Sequence, residues 1–332
     1  MLSYLTLTSA IMMATTVNPD QAATAEAVGP FLENDHILFL GDDITQQMFY
    51  TRAVATAFLG MYPRGGLHFF NGGWDGATPG SCRAWVNDLL QLTQPNVVFV
   101  MFGFNIEPGD EGVEKYRHDL EALVDQLKDW PSVRHIILLG PPPFEEGLAP
   151  GNGAETAINQ TLHRLNDVCA GIAKIRQLGF IEMFSPMKAV YLESTQVGGE
   201  PLTLNGRHPS ETGHMVIAGI ILRGLRVTAD QLDRPGWSPM LPRDMARIRP
   251  ALGVSRKAPS LAAAERSRAI YLSLVNYDQA FFRAWRLGRR KRRSPSRSRE
   301  QMIGEAQALW KRIEASLLDT AADAESGKHS SR

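Results

Sequence analysis

Four short polar clusters in the chain carry residue types that can do chemistry: Gly41-Asp42-Asp43-Ile44-Thr45, Asn71-Gly72-Gly73-Trp74-Asp75-Gly76-Ala77-Thr78, Gly103-Phe104-Asn105 and Asn205-Gly206-Arg207-His208-Pro209. A carboxylate such as Asp43, paired with a histidine that activates water, suits displacement at sp3 carbon, as in epoxide or haloalkane hydrolysis, followed by hydrolysis of the resulting ester. Each residue also has a plainer local reading. Asp42 reads as a brace of a strand-to-helix turn. Asp43, at the start of a helix, is also what a simple N-cap looks like, because a carboxylate there satisfies orphan N–H groups and the macrodipole. Gly72, Gly73 and Gly76 suit a tight loop needing positive φ, and Asn105 suits a turn. Ser210 and Glu211 explain a helix start after Pro209, but no capping role explains His208. His214, one turn on, reads as packing.

The elements that must position these clusters follow from the pattern between them. His36–Leu40, Leu67–Phe70, Val97–Phe102, His135–Leu139 and Phe180–Phe184 are short, apolar and bounded by Gly, Pro or Asn, which predicts strands. Amphipathic stretches at about 44–60, 80–92, 111–129, 154–178 and 210–226 predict helices. This alternation implies right-handed crossovers, a parallel sheet and helices on both faces, the doubly wound three-layer class. Ligands of such sheets bind outside the carboxyl ends of the strands. Three of the clusters directly follow strands, and the fourth opens the last helix of the domain.

The 332 residues include 35 Lys plus Arg and 35 Asp plus Glu, so the whole molecule has no strong field for nucleic acid or anionic lipid. Nine basic residues and no acidic one lie between Arg283 and Arg299, which leaves 26 basic against 35 acidic residues elsewhere. That run, interleaved with Ser and Pro, reads as a solvated loop. Nearby Phe281, Phe282 and Trp285 read as an anchor of the appendage on the main domain, so no nucleic-acid partner is expected. The two cysteines, Cys82 and Cys169, exclude a disulfide framework and a cysteine zinc cluster. No histidines and carboxylates show metal-ligand spacing, and no glycine loop suits a phosphate; Gly151-Asn152-Gly153 reads as a connecting loop. No apolar run is long enough to span a membrane. Residues 1–33 form a leader. Met1–Val17 and the alanine-rich stretch ending at Ala27 read either as a secretory signal, hence export, or as a cytoplasmic leader, since the basic residue expected at the front of a signal is missing. Residues 34–230 form the main domain, and 231–332 a proline-punctuated, mainly helical extension with a basic segment at 283–299 and a polar tail.

Taken in order, the four clusters resemble the four blocks of the SGNH (GDSL-type) hydrolases, over roughly residues 34–226. GDDIT stands where that family has GDS with an apolar residue and Thr, NGGWDGAT where it has N-x-G-x-x-G-x-T, GFN where it has G-x-N, and NGRHP where it has D-x-x-H. The resemblance implies a flavodoxin-like three-layer α/β/α domain with strand order 2-1-3-4-5 and no cofactor. It also implies a cleft that acts on carboxylic esters such as acetylated sugars or lipids. Carried over by position, Gly73 is the backbone donor and Asn105 the amide donor of an oxyanion hole, and His208 is the base.

Two positions depart from the pattern. Asp43 stands at the nucleophile position and Asn205 at that of the residue that orients the histidine. A carboxylate has no proton for His208 to remove and cannot form an acyl-serine. Asparagine can accept a hydrogen bond but cannot stabilise an imidazolium; in the serine-protease example of that change the cost is on the order of 10⁴ in rate. Three functions remain open: an ester hydrolase with atypical catalysis, a pseudoenzyme that binds an acyl or carbohydrate ligand, and an Asp-nucleophile hydrolase acting at sp3 carbon.

Overall fold

The computed structural model describes residues 27–147, 154–196, 198–233, 261–287 and 298–326. The leader up to residue 26, the Gly151–Gly153 loop, the proline-punctuated stretch 234–260 and residues 288–297 of the basic run lie outside the described residues. Five strands form one parallel sheet: β1 (His36–Gly41), β2 (His68–Gly73), β3 (Val97–Met101), β4 (His135–Leu139) and β5 (Gly179–Ile181), in the order 2-1-3-4-5. Ile37–Leu40 and Val97–Met101 are buried throughout, as central strands covered on both faces require. Register brings Gly41 opposite Gly73 on one side and Met101 on the other. The three chain segments that follow these residues therefore leave the sheet side by side.

The helices are α1 (Asp43–Gln46), α2 (Phe49–Met61), α3 (Pro79–Arg83), α4 (Val86–Thr93), α5 (Asp110–Lys128), α6 (Ala154–Arg176), α7 (Phe184–Gln196), α8 (Glu211–Gly224), α9 (Ala229–Asp233), α10 (Leu261–Leu287) and α11 (Arg299–Ser326). Two helices expected as single pieces are broken. Met48 adopts φ 69° and separates α1 from α2, and α3 starts on a Thr78–Ser81 capping box with Pro79 in its first turn, then stops before Trp85. The fifth strand is shorter than expected because Phe184 already belongs to α7. Among the described residues no helix is long and apolar enough to cross a membrane.

The extension is packed onto the body. Helix α10 lies against α2 and β2, and α11 lies against α10. Arg52 of α2 and Asp278 of α10 form a buried ion pair, Nε to Oδ2, at 2.6 Å. The Tyr277 hydroxyl is 2.8 Å from His68 Nε2, and Trp310 stacks on the His68 ring with centroids 3.8 Å apart. Trp285 packs between Trp74 and Trp85, and Phe281 meets Phe70. These contacts cover β2, an edge strand whose apolar residues would otherwise invite pairing.

Candidate active site

The turn after β1 separates its two carboxylates by role. Asp42 is the N-cap of α1: its Oδ1 accepts from Ile44 N–H at 3.2 Å and its Oδ2 from Gly103 N–H at 3.3 Å. This ties β1 to the segment after β3 and meets the expectation of a structural brace. The capping reading of Asp43 is thereby corrected, because Asp42 already caps the helix and Asp43 lies within it, side chain turned to the cleft residues. Gly73 has no room for a side chain, since a Cβ there would lie 2.2 Å from Gln46 N; the backbone of α1 rests directly on the end of β2. Asn71 locks this contact. Its amide donates to Thr45 O at 2.7 Å and Thr51 Oγ1 at 3.0 Å, and its Oδ1 accepts from Gly73 N–H at 3.0 Å.

His208 is carried by a loop clamped from behind. Buried Glu145 accepts from Leu202 N–H at 3.0 Å and from Thr203 N–H and Oγ1–H at 2.7 Å each, while its own N–H donates to Gly206 O at 2.8 Å. Gly206 has φ 82°, and a Cβ there would lie 2.2 Å from the Phe144 ring, so only glycine fits this turn. Ser210 caps α8 through Gly213 N–H, which fixes the other end of the loop.

These elements bring Asp43, Asn105, Asn205 and His208 together. Asp43 is only 6% exposed. Its Oδ1 accepts from Asn105 Nδ2 at 3.1 Å, and its Oδ2 lies 2.7 Å from His208 Nε2 and 3.5 Å from Arg207 Nη2. Asn105 also donates to Ala77 O at 3.3 Å and accepts from Arg207. Gly73 lies at the edge of the same site, but its N–H is engaged by Asn71.

Asn205 shapes the turn before His208 and faces its imidazole. Asn205 Oδ1 accepts from Arg207 N–H at 3.2 Å and His208 N–H at 2.9 Å, an Asx turn, which leaves its NH2 facing His208 Nδ1 at 3.0 Å. Nδ1 also lies 3.2 Å from Asn205 Oδ1, so Asn205 meets this nitrogen with a donor and an acceptor alike, whereas Nε2 faces the Asp43 carboxylate and donates to its Oδ2. A serine base needs the opposite tautomer, with the lone pair on Nε2. The two substitutions are compatible: the carboxylate at 43 takes a hydrogen bond from Nε2, and the amide at 205, with a donor and an acceptor near Nδ1, can meet that nitrogen in either tautomer.

Burial, with the Asp43 carboxylate beside it, pushes Asp42 up to about 7, against the opposing pull of its two backbone N–H bonds and Arg207. Burial also lowers His214 to about 3. Its Nε2 is 2.7 Å from Gln47 Oε1 and its ring stacks on Tyr50, so it is a packed core histidine, as expected. Three participants were not singled out in the sequence: Asn71, Glu145 and Arg207. Asn71 heads the second cluster and Arg207 lies between Asn205 and His208, so both stand inside the motifs, whereas nothing in PPPFEE distinguishes Glu145 from a solvated acid. Among the described residues no cluster of His, Cys, Asp or Glu could hold a metal ion. A cleft of about 460 Å³ lies elsewhere, lined by Glu146, Asn159, Gln160, His163, Arg164, Phe184 and Lys188.

Residues 39–216 match the model of the GDSL-like Lipase/Acylhydrolase family. Among solved structures, a gut microbial diltiazem-metabolizing enzyme is 25% identical with a TM-score of 0.53, over 61% of this chain and 49% of that one, so the chain spans about half the length of that enzyme. An acetylxylan esterase from Geobacillus stearothermophilus, solved as a catalytic mutant, is 23% identical with a TM-score of 0.48, over 58% of this chain and 94% of that one. An α/β hydrolase enzyme from the metagenome of Lake Arreo, Spain, is 21% identical with a TM-score of 0.48, over 60% and 98% of the two chains. No curated protein matches the chain. With a parallel 2-1-3-4-5 sheet and a family match that spans all four clusters, the chain belongs to the GDSL-like lipase/acylhydrolase family.

Proposed function

We propose that this chain binds a small neutral acyl or carbohydrate ester in the cleft formed by Asp43, Gly73, Asn105, Asn205 and His208, and does not turn it over by acyl-serine chemistry. One observation carries the reading: the Asp43 carboxylate sits at the nucleophile position and takes up the Asn105 amide and the His208 Nε2–H. Ester hydrolysis of the family type asks for a nucleophile that His208 deprotonates and for free donors to the developing oxyanion. Neither is on offer while Asp43 is in place. Displacement at sp3 carbon is disfavoured by the same bonds, since both Asp43 oxygens are already hydrogen-bonded and therefore weaker nucleophiles.

The test presents the wild-type protein with p-nitrophenyl acetate, a haloalkane, an epoxide and a methyl acetylxyloside. Nitrophenolate and halide release, the mass of the intact protein, and saturation-transfer NMR for binding are recorded. The reading expects no nitrophenolate above background, no protein adduct, and binding of the acetylated sugar. Nitrophenolate release that vanishes in His208→Ala would make the protein an active esterase with another nucleophile. An alkyl adduct on Asp43 would establish the sp3 reaction, and absence of all binding would remove the ligand from the proposal.

A further inference from the structure

We propose that Asn105, Arg207 and His208 form a receptor for a carboxylate, and that the Asp43 side chain is its built-in occupant, which closes the cleft to acid anions. The inference rests on the preceding reading of the cleft and deepens it by naming the ligand chemistry of the reacting end. Three donors from two distant segments converge on one buried carboxylate: Asn105 Nδ2 on Oδ1 at 3.1 Å, with His208 Nε2 at 2.7 Å and Arg207 Nη2 at 3.5 Å from Oδ2. A hydrogen-bonded amide on one oxygen and charged or titratable nitrogens on the other is how a carboxylate is held in general.

The donors do not depend on Asp43 for their places. Asn105 is held by Ala77 O and by Arg207. Arg207 also lies over the Phe104 ring at 5.5 Å. His208 is oriented by Asn205, and its loop by Glu145 and Phe144. Asp43 itself is anchored through the backbone of α1, which Asp42 caps. Truncating residue 43 at Cβ therefore removes the anion and leaves its receptor standing, with a space the size of the lost carboxylate.

In the wild type the receptor is full, and a second anion would meet the Asp43 charge. Anionic ligands are thereby kept from the cleft, and a short-chain acid, the product of an acyl hydrolase, is shut out.

The experiment uses the full chain with Asp43→Ala and titrates it with acetate and, separately, with its neutral isostere acetamide. Melting temperature and the ring-nitrogen NMR shifts of His208 are followed. Acetate should raise the melting temperature of Asp43→Ala and move the His208 ring nitrogens, with an affinity at least about 10-fold above that for acetamide or for wild type. Adding Asn105→Ala to Asp43→Ala should abolish the response. Equal binding of acetamide, equal binding of acetate by wild type, or no response in a folded Asp43→Ala would overturn the proposal. If Asp43→Ala does not fold, Asp43→Asn decides the matter: one carbonyl cannot serve all three donors, so a lower melting temperature and altered His208 shifts are expected, and a wild-type melt with an unchanged His208 spectrum would overturn it. Failure here would leave the absence of acyl-serine turnover untouched, since that is read from wild-type protein and esters alone.

Discussion

A serine hydroxyl donates its proton to a neighbouring imidazole, whereas an aspartate can only accept, and this difference reverses the polarity of the whole site. His208 becomes a donor to that carboxylate through Nε2. Asp42 carries a further consequence. Its native pKa of about 7 lies above the ordinary 3.8, so the folded state keeps a proton that the unfolded chain has lost. The stabilisation this gives is full below about pH 4 and is lost as the pH rises to about 7. In Asp42→Asn that contribution disappears. Urea midpoints between pH 4 and 8 should show the wild type losing stability relative to Asp42→Asn over this window, by an amount on the order of a few kcal/mol. A difference between the two proteins that stays flat from pH 4 to 7 would contradict it.

The loop that carries His208 owes its shape to neighbours far away in sequence. Glu145→Ala would leave the N–H groups of Leu202 and Thr203 without their acceptor in a buried turn, at a cost of about 2–4 kcal/mol in denaturant unfolding. Glu145→Gln keeps one acceptor oxygen and should cost less. Such long-range clamps were not legible in the sequence, whereas the strands were: Ile37–Leu40 and Val97–Met101 are apolar runs too short for helices, and their burial in the sheet centre is what that pattern means. The broken helices were hidden for a different reason. Met48 takes a left-handed conformation with no Gly or Pro to signal it, so the stretch 44–60 read as one helix. At the site, Asp43, Asn105, Asn205 and His208 could be picked out because each belongs to one of four clusters, at strand ends or a helix start, whose order resembles the blocks of the SGNH hydrolases. The engagement of Gly73 N–H by Asn71 and the reach of Arg207 to Asn105 depend on the fold and left no trace in spacing.

At the scale of the whole molecule, the extension completes the body instead of hanging from it. Its last described turn reaches the cleft-side surface: Arg286 donates from Nη1 to Gln46 Oε1 at 2.7 Å and lies over the Trp74 ring at 4.4 Å. The Arg52–Asp278 pair at the seam is buried, and burial raises Asp278 to about 6 despite the neighbouring guanidinium. Removing one partner strands the other. Asp278→Leu alone should therefore cost about 3–5 kcal/mol, while Arg52→Leu with Asp278→Leu should cost markedly less. Thermal melts of the single and double variants check this, and additive losses would contradict it. Limited proteolysis should leave α10 attached to the body, and rapid loss of everything beyond residue 233 would show that the contacts of Tyr277, Phe281 and Trp285 do not hold the extension in solution.

The most direct test of the reversed site is kcat/KM on p-nitrophenyl acetate for wild type, Asp43→Ser, Asn205→Asp and the double variant, with folding confirmed by circular dichroism. Asp43→Ser frees the Asn105 donor and restores a nucleophile. Asn205→Asp restores the tautomer that makes Nε2 a base, and in the serine-protease precedent that orienting residue is worth on the order of 10⁴ in rate. Because these groups act as a unit, their effects should be strongly non-additive. The account predicts background rates for wild type and Asn205→Asp, a small rate for Asp43→Ser and the largest for the double variant. A wild-type rate that survives Asp43→Ala, or a folded double variant with no gain over wild type, would contradict it.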